Sequence, residues 1–353
     1  MNKSFYYLIL ILFLCSCANI ITPSGGEKDA SAPILLKTFP KNKTLDFQEK
    51  KITFHFNENI EENRWNDYFY ISPLLANNIK YKINNKVMTI FLNDTLKDNT
   101  TYSLYLNQCI KDVNEGNILK KLKYLFSTSS KIDTLNIQGQ LISARTLEPK
   151  SNTWVFLHKE ELTDSLCFVS KPLYVAKSDE EGLFVFDNLN MEKYKIFSLT
   201  GLDFVYHEGD EVGFINQLIS STNDSNLIIY MSDPLYVQKN NVNPDTVSKV
   251  DINSKLNGNI HIKSNLNTNI IVTLYKDEKL FRQAFFTKSP YTINDIQPGE
   301  YKVSLTIDQN NNQVWDTGDF SLRKQPEKIY HYNQPITIRE NWDLEVKWSI
   351  SEL

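Results

Sequence analysis

The 353-residue sequence is poor in glycine (11), histidine (5) and cysteine (4). It carries no Gly-rich phosphate loop and no Gly-x-Ser-x-Gly elbow, the usual sequence marks of nucleotide and acyl-transfer chemistry. The histidines lie far apart, and no zinc-type spacing is present. Four cysteines (Cys15, Cys17, Cys109 and Cys167) are too few and too scattered for a secreted disulfide framework. Lys and Arg number 38 against 42 Asp and Glu, and the net charge of -4 gives no electrostatic reason to expect nucleic acid. The basic run at residues 120–123 reads as a solvated strand flank. These absences point away from an enzyme. What is abundant is aromatic: 18 Tyr and 20 Phe lean the chain toward β structure. A hydrophobic content of 41% and a charged content of 23% are globular values, and the length suits two or three domains.

Lys3 precedes an apolar run at residues 5–14. A bilayer-spanning helix needs about twenty residues, so this run fits the h-region of a secretory signal instead. Leu14-Cys15-Ser16-Cys17 resembles a bacterial lipobox. A cut before Cys17 leaves small Ser16 at the cleavage site, with Cys17 as the thiol that takes the lipid. Residues 1–16 are thus read as a lipoprotein signal peptide. Residues 17–33, with Pro23, Gly25, Gly26 and Pro33 and no aromatic residue, are read as a flexible tether. No acidic run directly follows Cys17 to sort the protein to one face of an outer membrane.

From residue 34 the pattern alternates. Ile52, Phe54 and Phe56 share one strand face; Thr53, His55 and Asn57 share the other. Similar runs follow at 68–71, 79–83, 87–92, 101–106 and 124–128, and such spacing predicts a β-sandwich. His55 has no partner at ligand spacing and is read as solvent-facing. The turn Thr38-Phe39-Pro40-Lys41-Asn42, the strand end Phe56-Asn57-Glu58, the set Leu96, Asn99, Thr100 and Tyr102, the turn from Asp112 to Gly116-Asn117, and a closing Phe126-Ser127-Thr128 occur in order. On these motifs residues 32–129 resemble the bacterial Ig-like domain of the SbsA type. With the lipobox and tether, the chain is similar to Gram-negative Ig-like lipoproteins. The first domain is placed at 34–130, with a turn of positive φ expected at Gly116 and Asn117.

The rest reads as a diverged repeat. FDNLNMEKYKI, residues 186–196, aligns with INDIQPGEYKV, residues 293–303, at an offset of 107. Gly139 answers Gly258, and Gly209-Asp210 answers Gly318-Asp319. A polar stretch at 237–249 is read as a linker between domains at 131–236 and 250–353. Asp179, Gly182, Phe184, Phe186, Leu189 and Tyr194 resemble the core of the carboxypeptidase regulatory-like domain, a transthyretin-like sandwich. That resemblance implies a spacer or binding unit and no protease activity. The fold class expected is therefore all-β, with three serial Ig-like or transthyretin-like β-sandwiches. Trp342, Leu344, Val346 and Trp348 alternate as a last strand whose apolar face joins the core.

One loop carries possible chemistry. Asp308, Asn310, Asn312, Val314, Asp316 and Asp319 fall at positions 1, 3, 5, 7, 9 and 12 of an EF-hand-like calcium loop. Gln313 stands where that loop has glycine, and Asp319 where it has glutamate. The spacing serves either calcium, with a rigidifying role, or an Asx-rich turn that satisfies its own backbone. No other cofactor is expected.

The expected role is non-catalytic: a lipid-anchored outer-membrane protein whose serial domains form a structural or adhesive scaffold presenting a surface to another envelope protein. Alternatives are a glycan-binding lipoprotein of a nutrient-capture system, marked by exposed Trp or Tyr in a groove, and a periplasmic assembly factor, marked by a long free sheet edge.

Overall fold

The computed structural model describes residues 28–167, 169–201, 203–222, 226–234 and 257–350. The signal peptide, Cys17, most of the tether and the linker at 237–249 lie outside the described residues. No described helix is long and apolar enough to cross a membrane.

The first sandwich comprises β1 (Leu35–Phe39), β2 (Lys51–Phe56), β3 (Ile60–Glu62), β4 (Phe69–Ser72), β5 (Lys80–Asn84), β6 (Val87–Phe91), β7 (Thr101–Leu106), β8 (Ile110–Asp112) and β9 (Lys123–Ser127). One sheet runs β1-β2-β6-β5 and the other β4-β7-β9, with β3 and β8 as a separate pair. Alternation works as expected: Ile52, Phe54, Phe56, Met88 and Ile90 are buried between the sheets, and His55 faces out, half-buried. A four-residue helix, Trp65–Tyr68, replaces the expected start of the strand at 68. Trp65 is buried there, stacked between Phe69 and Tyr81 at 4.0 Å from each. At the Asp112 turn Gly116 has positive φ, but Asn117 does not. Asn117 instead donates its N–H to Asp112, as do Glu115 and Gly116. Burial alone would raise the Asp112 carboxyl, yet these backbone donors hold it below its usual range.

The second sandwich holds β10 (Leu135–Ser143), β11 (Trp154–Lys159), β12 (Tyr174–Lys177), β13 (Leu183–Leu189), β14 (Lys193–Leu199), β15 (Val212–Phe214), β16 (Ile219–Ser220) and β17 (Leu227–Met231). The third holds β18 (Gly258–Ser264), β19 (Ile270–Lys276), β20 (Lys279–Phe286), β21 (Tyr291–Ile296), β22 (Gly299–Ile307), β23 (Ile329–His331), β24 (Ile336–Ile338) and β25 (Asp343–Trp348). Their strand orders are the same, β13-β10-β17 with β12-β11-β14-β15 and β21-β18-β25 with β20-β19-β22-β23. In each, the first and last strands pair in parallel.

The repeat extends to atoms. Tyr194 and Tyr301 are both buried, and each hydroxyl donates to the carbonyl four residues back, Asn190 at 3.2 Å and Gln297 at 2.8 Å. Asn188 (φ 62°) and Asp295 (φ 61°), again 107 apart, both take the left-handed backbone that Asn and Asp tolerate best. Gly139 lies within β10 and Gly258 begins β18, the equivalent strands, where a Cβ would stand 2.4 Å from the Leu227 carbonyl and 2.6 Å from that of Arg339. A side chain at Gly139 would force the parallel neighbour away, and one at Gly258 would displace the segment between β24 and β25. The last strand differs from expectation at one end. Trp342 precedes β25 and is 50% exposed, whereas Val346 is buried and Trp348 half-buried.

Candidate functional site

The acidic loop follows β22. Asp308 is buried, and its carboxylate accepts the N–H groups of Asn312 at 3.1 Å and Gln313 at 2.9 Å. Asn310 and Asn312 turn their amides to Asp316, which also accepts from the Lys324 ammonium at 2.9 Å. Val314 donates its N–H to Asn312 at 2.9 Å, and its side chain is exposed. Gln313 has φ 63°, the left-handed backbone that glycine takes in a calcium loop. Asp319 stands apart, on a hairpin bridged to Lys324, and accepts from Ser321 and Leu322. The structure thus brings Asp308, Asn310, Asn312 and Asp316 together and leaves Asp319 on the next turn. Among the described residues no three His, Cys, Asp or Glu side chains converge as a metal-ligating group.

Sequence reasoning missed Glu327. Its side chain is buried beneath the loop and accepts the N–H groups of Gln309 at 2.8 Å and Asp316 at 3.1 Å. Burial pushes its carboxyl above the usual range. The Trp315 indole donates to the Glu327 carbonyl at 2.9 Å. No spacing rule links Glu327 to Asp308.

The same segment reaches the second sandwich. Trp315 packs with Ala144, Ile329 and Tyr230. Phe320 lies edge-on to Phe214 at 5.3 Å. The Arg323 guanidinium sits over three rings, Phe214 at 5.0 Å, Phe320 at 5.6 Å and Phe197 at 5.8 Å. Gln325 donates to the Phe214 carbonyl, and Asn216 to that of Arg323. A cleft of about 550 Å³ runs along this seam, lined by Ile142, Tyr230 and Ile329 with Gln140 and Gln325.

The first sandwich meets the second on the outer face of β4-β7-β9. Tyr70 stacks on Tyr105 at 4.4 Å and meets Trp154 edge-on at 5.4 Å. Leu74 donates its N–H to the Leu173 carbonyl, and Val175 donates its own to the Ser72 hydroxyl. The Lys177 ammonium donates to the Asp67 carbonyl at 2.6 Å, and Lys123 pairs with Asp187 at 2.7 Å.

Both contacts share one sheet of the second sandwich. The inner face of β12-β11-β14-β15 packs its own core through Val155, Leu157, Ala176 and Ile196. Its outer face presents Trp154, Phe156, Val175, Phe197 and Phe214, covered by Tyr70 and Leu74 from the first sandwich and Phe320 from the third. A strand buried on both faces needs an unbroken apolar run, and Trp154-Val155-Phe156-Leu157 supplies one.

Cys109 and Cys167 are free and buried. Burial pushes their thiols up to about 12 and about 11, so neither is a ready nucleophile at neutral pH. Trp65, Trp154 and Trp315 are buried. Exposed Trp342 lies beneath the Arg339 guanidinium at 5.1 Å.

Residues 29–128 match the bacterial Ig-like domain family. The Ig-like domain is therefore the first sandwich, at the place its motifs indicated. No curated protein matches the chain. Among solved structures, the chain is similar to the Bacillus anthracis TIE protein at 11% identity and TM-score 0.18, over 99% of this chain and 62% of that one. It is similar to BcpA, the major pilin subunit of Bacillus cereus, at 12% identity and TM-score 0.19, over 56% and 70%. It is similar to the N-terminal part of the bacterial S-layer protein SbsC at 13% identity and TM-score 0.20, over 52% and 44%. The chain spans less than two thirds of the TIE and SbsC chains.

Proposed function

We propose that the protein is a non-catalytic scaffold of the bacterial outer membrane, lipid-anchored through Cys17 and its tether, in which the Ig-like domain and two carboxypeptidase regulatory-like sandwiches are held in a fixed arrangement relative to one another and present a surface. One observation carries the reading: the outer face of β12-β11-β14-β15 is covered from both sides, by Tyr70 and Leu74 and by Phe320. Domains joined only by linkers move freely, whereas a shared apolar seam fixes their angles. The role is then mechanical, and the partner is another envelope protein. Burial of Trp65 in the first core and of Trp154 and Trp315 at the seams between sandwiches favours this reading over glycan capture.

Two measurements test it. Small-angle scattering from the chain beginning at Cys17 is expected to fit one rigid particle, unchanged on salt addition. A profile that requires an ensemble of independently moving sandwiches removes the scaffold reading. Mass analysis of the amino-terminal peptide from cell envelopes is expected to find diacylglycerol on Cys17, and a free thiol there removes the anchor.

A further inference from the structure

The Ig-like domain has a second broad face, and its charge is unlike that of the whole chain. Strand register assembles it. Lys37 stands beside His55 and Phe39 beside Thr53. Lys51 stands beside Phe91, Thr53 beside Thr89 and His55 beside Val87. On the far edge Lys80 stands beside Phe91, Lys82 beside Thr89 and Asn84 beside Val87. The alternate residues Ile52, Phe54, Met88 and Ile90 are buried, so this set faces outward. It contains four lysines and one histidine and no carboxylate, on a protein of net charge -4. Among the described residues none of these lysines is ion-paired. Phe39 is 66% exposed, and Ile34 and Leu36 are also exposed along the same edge.

We propose that this face docks on the anionic phospholipid headgroups of the membrane. Charge complementarity is the first argument. Lysines projecting from a flat sheet meet an anionic surface together, and each such lysine multiplies binding about fivefold. Exposed Phe39 supplies an apolar ring that can bury at the boundary between headgroups and acyl chains. Position is the second argument, and it rests on the anchoring reading above. The other sheet of this domain is taken by the second sandwich, so the lysine face points away from the rest of the chain. Cys17 lies eighteen residues before Leu35, where the face begins. The Asp29 carbonyl already accepts from Asn117, and Ile34 donates its N–H to Asn57, so the tether proposed above runs only from Cys17 to Asp29; about twelve residues of flexible linker reach about 19 Å, which would keep the face close to the lipid and raise its effective concentration there.

The test uses the unlipidated chain from Cys17 onward, so the anchor contributes nothing. Flotation with vesicles containing phosphatidylglycerol is expected to carry the protein, pure phosphatidylcholine vesicles are not, and binding weakens as salt shortens the screening length. Lys80→Gln with Lys82→Gln is expected to weaken binding about 25-fold, and Lys82→Gln alone about fivefold, without lowering the melting temperature. Lys263→Gln with Lys302→Gln, two exposed sites on the third sandwich, leaves it unchanged. Equal binding to neutral vesicles, unchanged binding of the Lys80/Lys82 variant, or capture by heparin without vesicle binding would each overturn the proposal, the last in favour of a soluble polyanion. A free thiol on Cys17 in cells removes the anchor while leaving the vesicle result standing, so the two failures are distinct.

Discussion

Phe320 of the third sandwich meets Phe197 of the second edge-on, with ring centroids 5.5 Å apart. The two residues are 123 positions apart in sequence, and the Arg323 guanidinium lies over both rings. Aromatic pairs of this geometry contribute about 0.5–1.5 kcal/mol beyond their buried area. Phe320→Ala is expected to weaken the seam by about 1–2 kcal/mol. In calorimetry the third sandwich then melts as a separate, earlier transition. A single unshifted transition in that variant means the ring is not part of what couples the two.

The paired tyrosines give a second prediction. Tyr301→Phe removes a 2.8 Å, part-buried hydrogen bond to the Gln297 carbonyl. The expected loss is about 1 kcal/mol in urea unfolding, and Tyr194→Phe, whose bond is 3.2 Å, costs the same or less. A loss in one sandwich and none in the other would show that the repeat has kept the geometry of the corner without its energy.

Acid sensitivity centres on His158. It is buried, with Nε2 2.8 Å from the Cys167 carbonyl. Burial, the main cause, holds its pKa below the usual value. The unfolded chain takes a proton near pH 6.5 and the folded chain only at lower pH. His158 therefore contributes stability above about pH 6.5 that is lost as pH falls toward its folded value. Exposed His207 acts in the opposite sense, since hydrogen bonding to Asp203 raises its pKa. The comparison is with His158→Gln. Wild type is expected to lose melting temperature between about pH 6.5 and 5 while the variant changes less. Parallel profiles would remove His158 as the cause.

For the acidic loop, the ammonium of Lys324 already lies against Asp316, and both Asp308 oxygens are occupied by backbone donors. The expected outcome is a melting temperature that differs by less than about 1 °C between chelator and millimolar calcium, whereas tight binding to the native state alone would raise it by several degrees. A rise of that size would assign calcium to the loop. Glu327→Ala, in contrast, leaves the Gln309 and Asp316 N–H groups without a buried acceptor and is expected to cost about 2–4 kcal/mol.

The parts legible in the sequence share a physical cause. Ile52, Phe54 and Phe56 alternate because one face is wet, and that period is visible without a partner. The 107-residue offset is visible because buried Tyr194 and Tyr301 fill the same corner. Trp154-Val155-Phe156-Leu157 has no period, because both faces are dry; the run signals burial but cannot name Tyr70 or Phe320 as the cover. Trp342 was misread because the alternation that counts it begins one residue before the pairing does. Lys37 and Lys82 are 45 positions apart, and only the order β1-β2-β6-β5 gathers them on one face.

The covered sheet of the second sandwich also bears on how such a chain can change over evolutionary time. Cut free, that sandwich would keep its own Leu162 and Phe204 over part of this face but lose the cover that Tyr70, Leu74 and Phe320 give Trp154, Phe197 and Phe214. An exposed apolar patch of that kind invites aggregation. These three sandwiches are therefore not interchangeable beads. A recombination event that swapped the Ig-like domain alone would have to supply a new Tyr70 and Leu74, so the heritable unit is the trio with its seams.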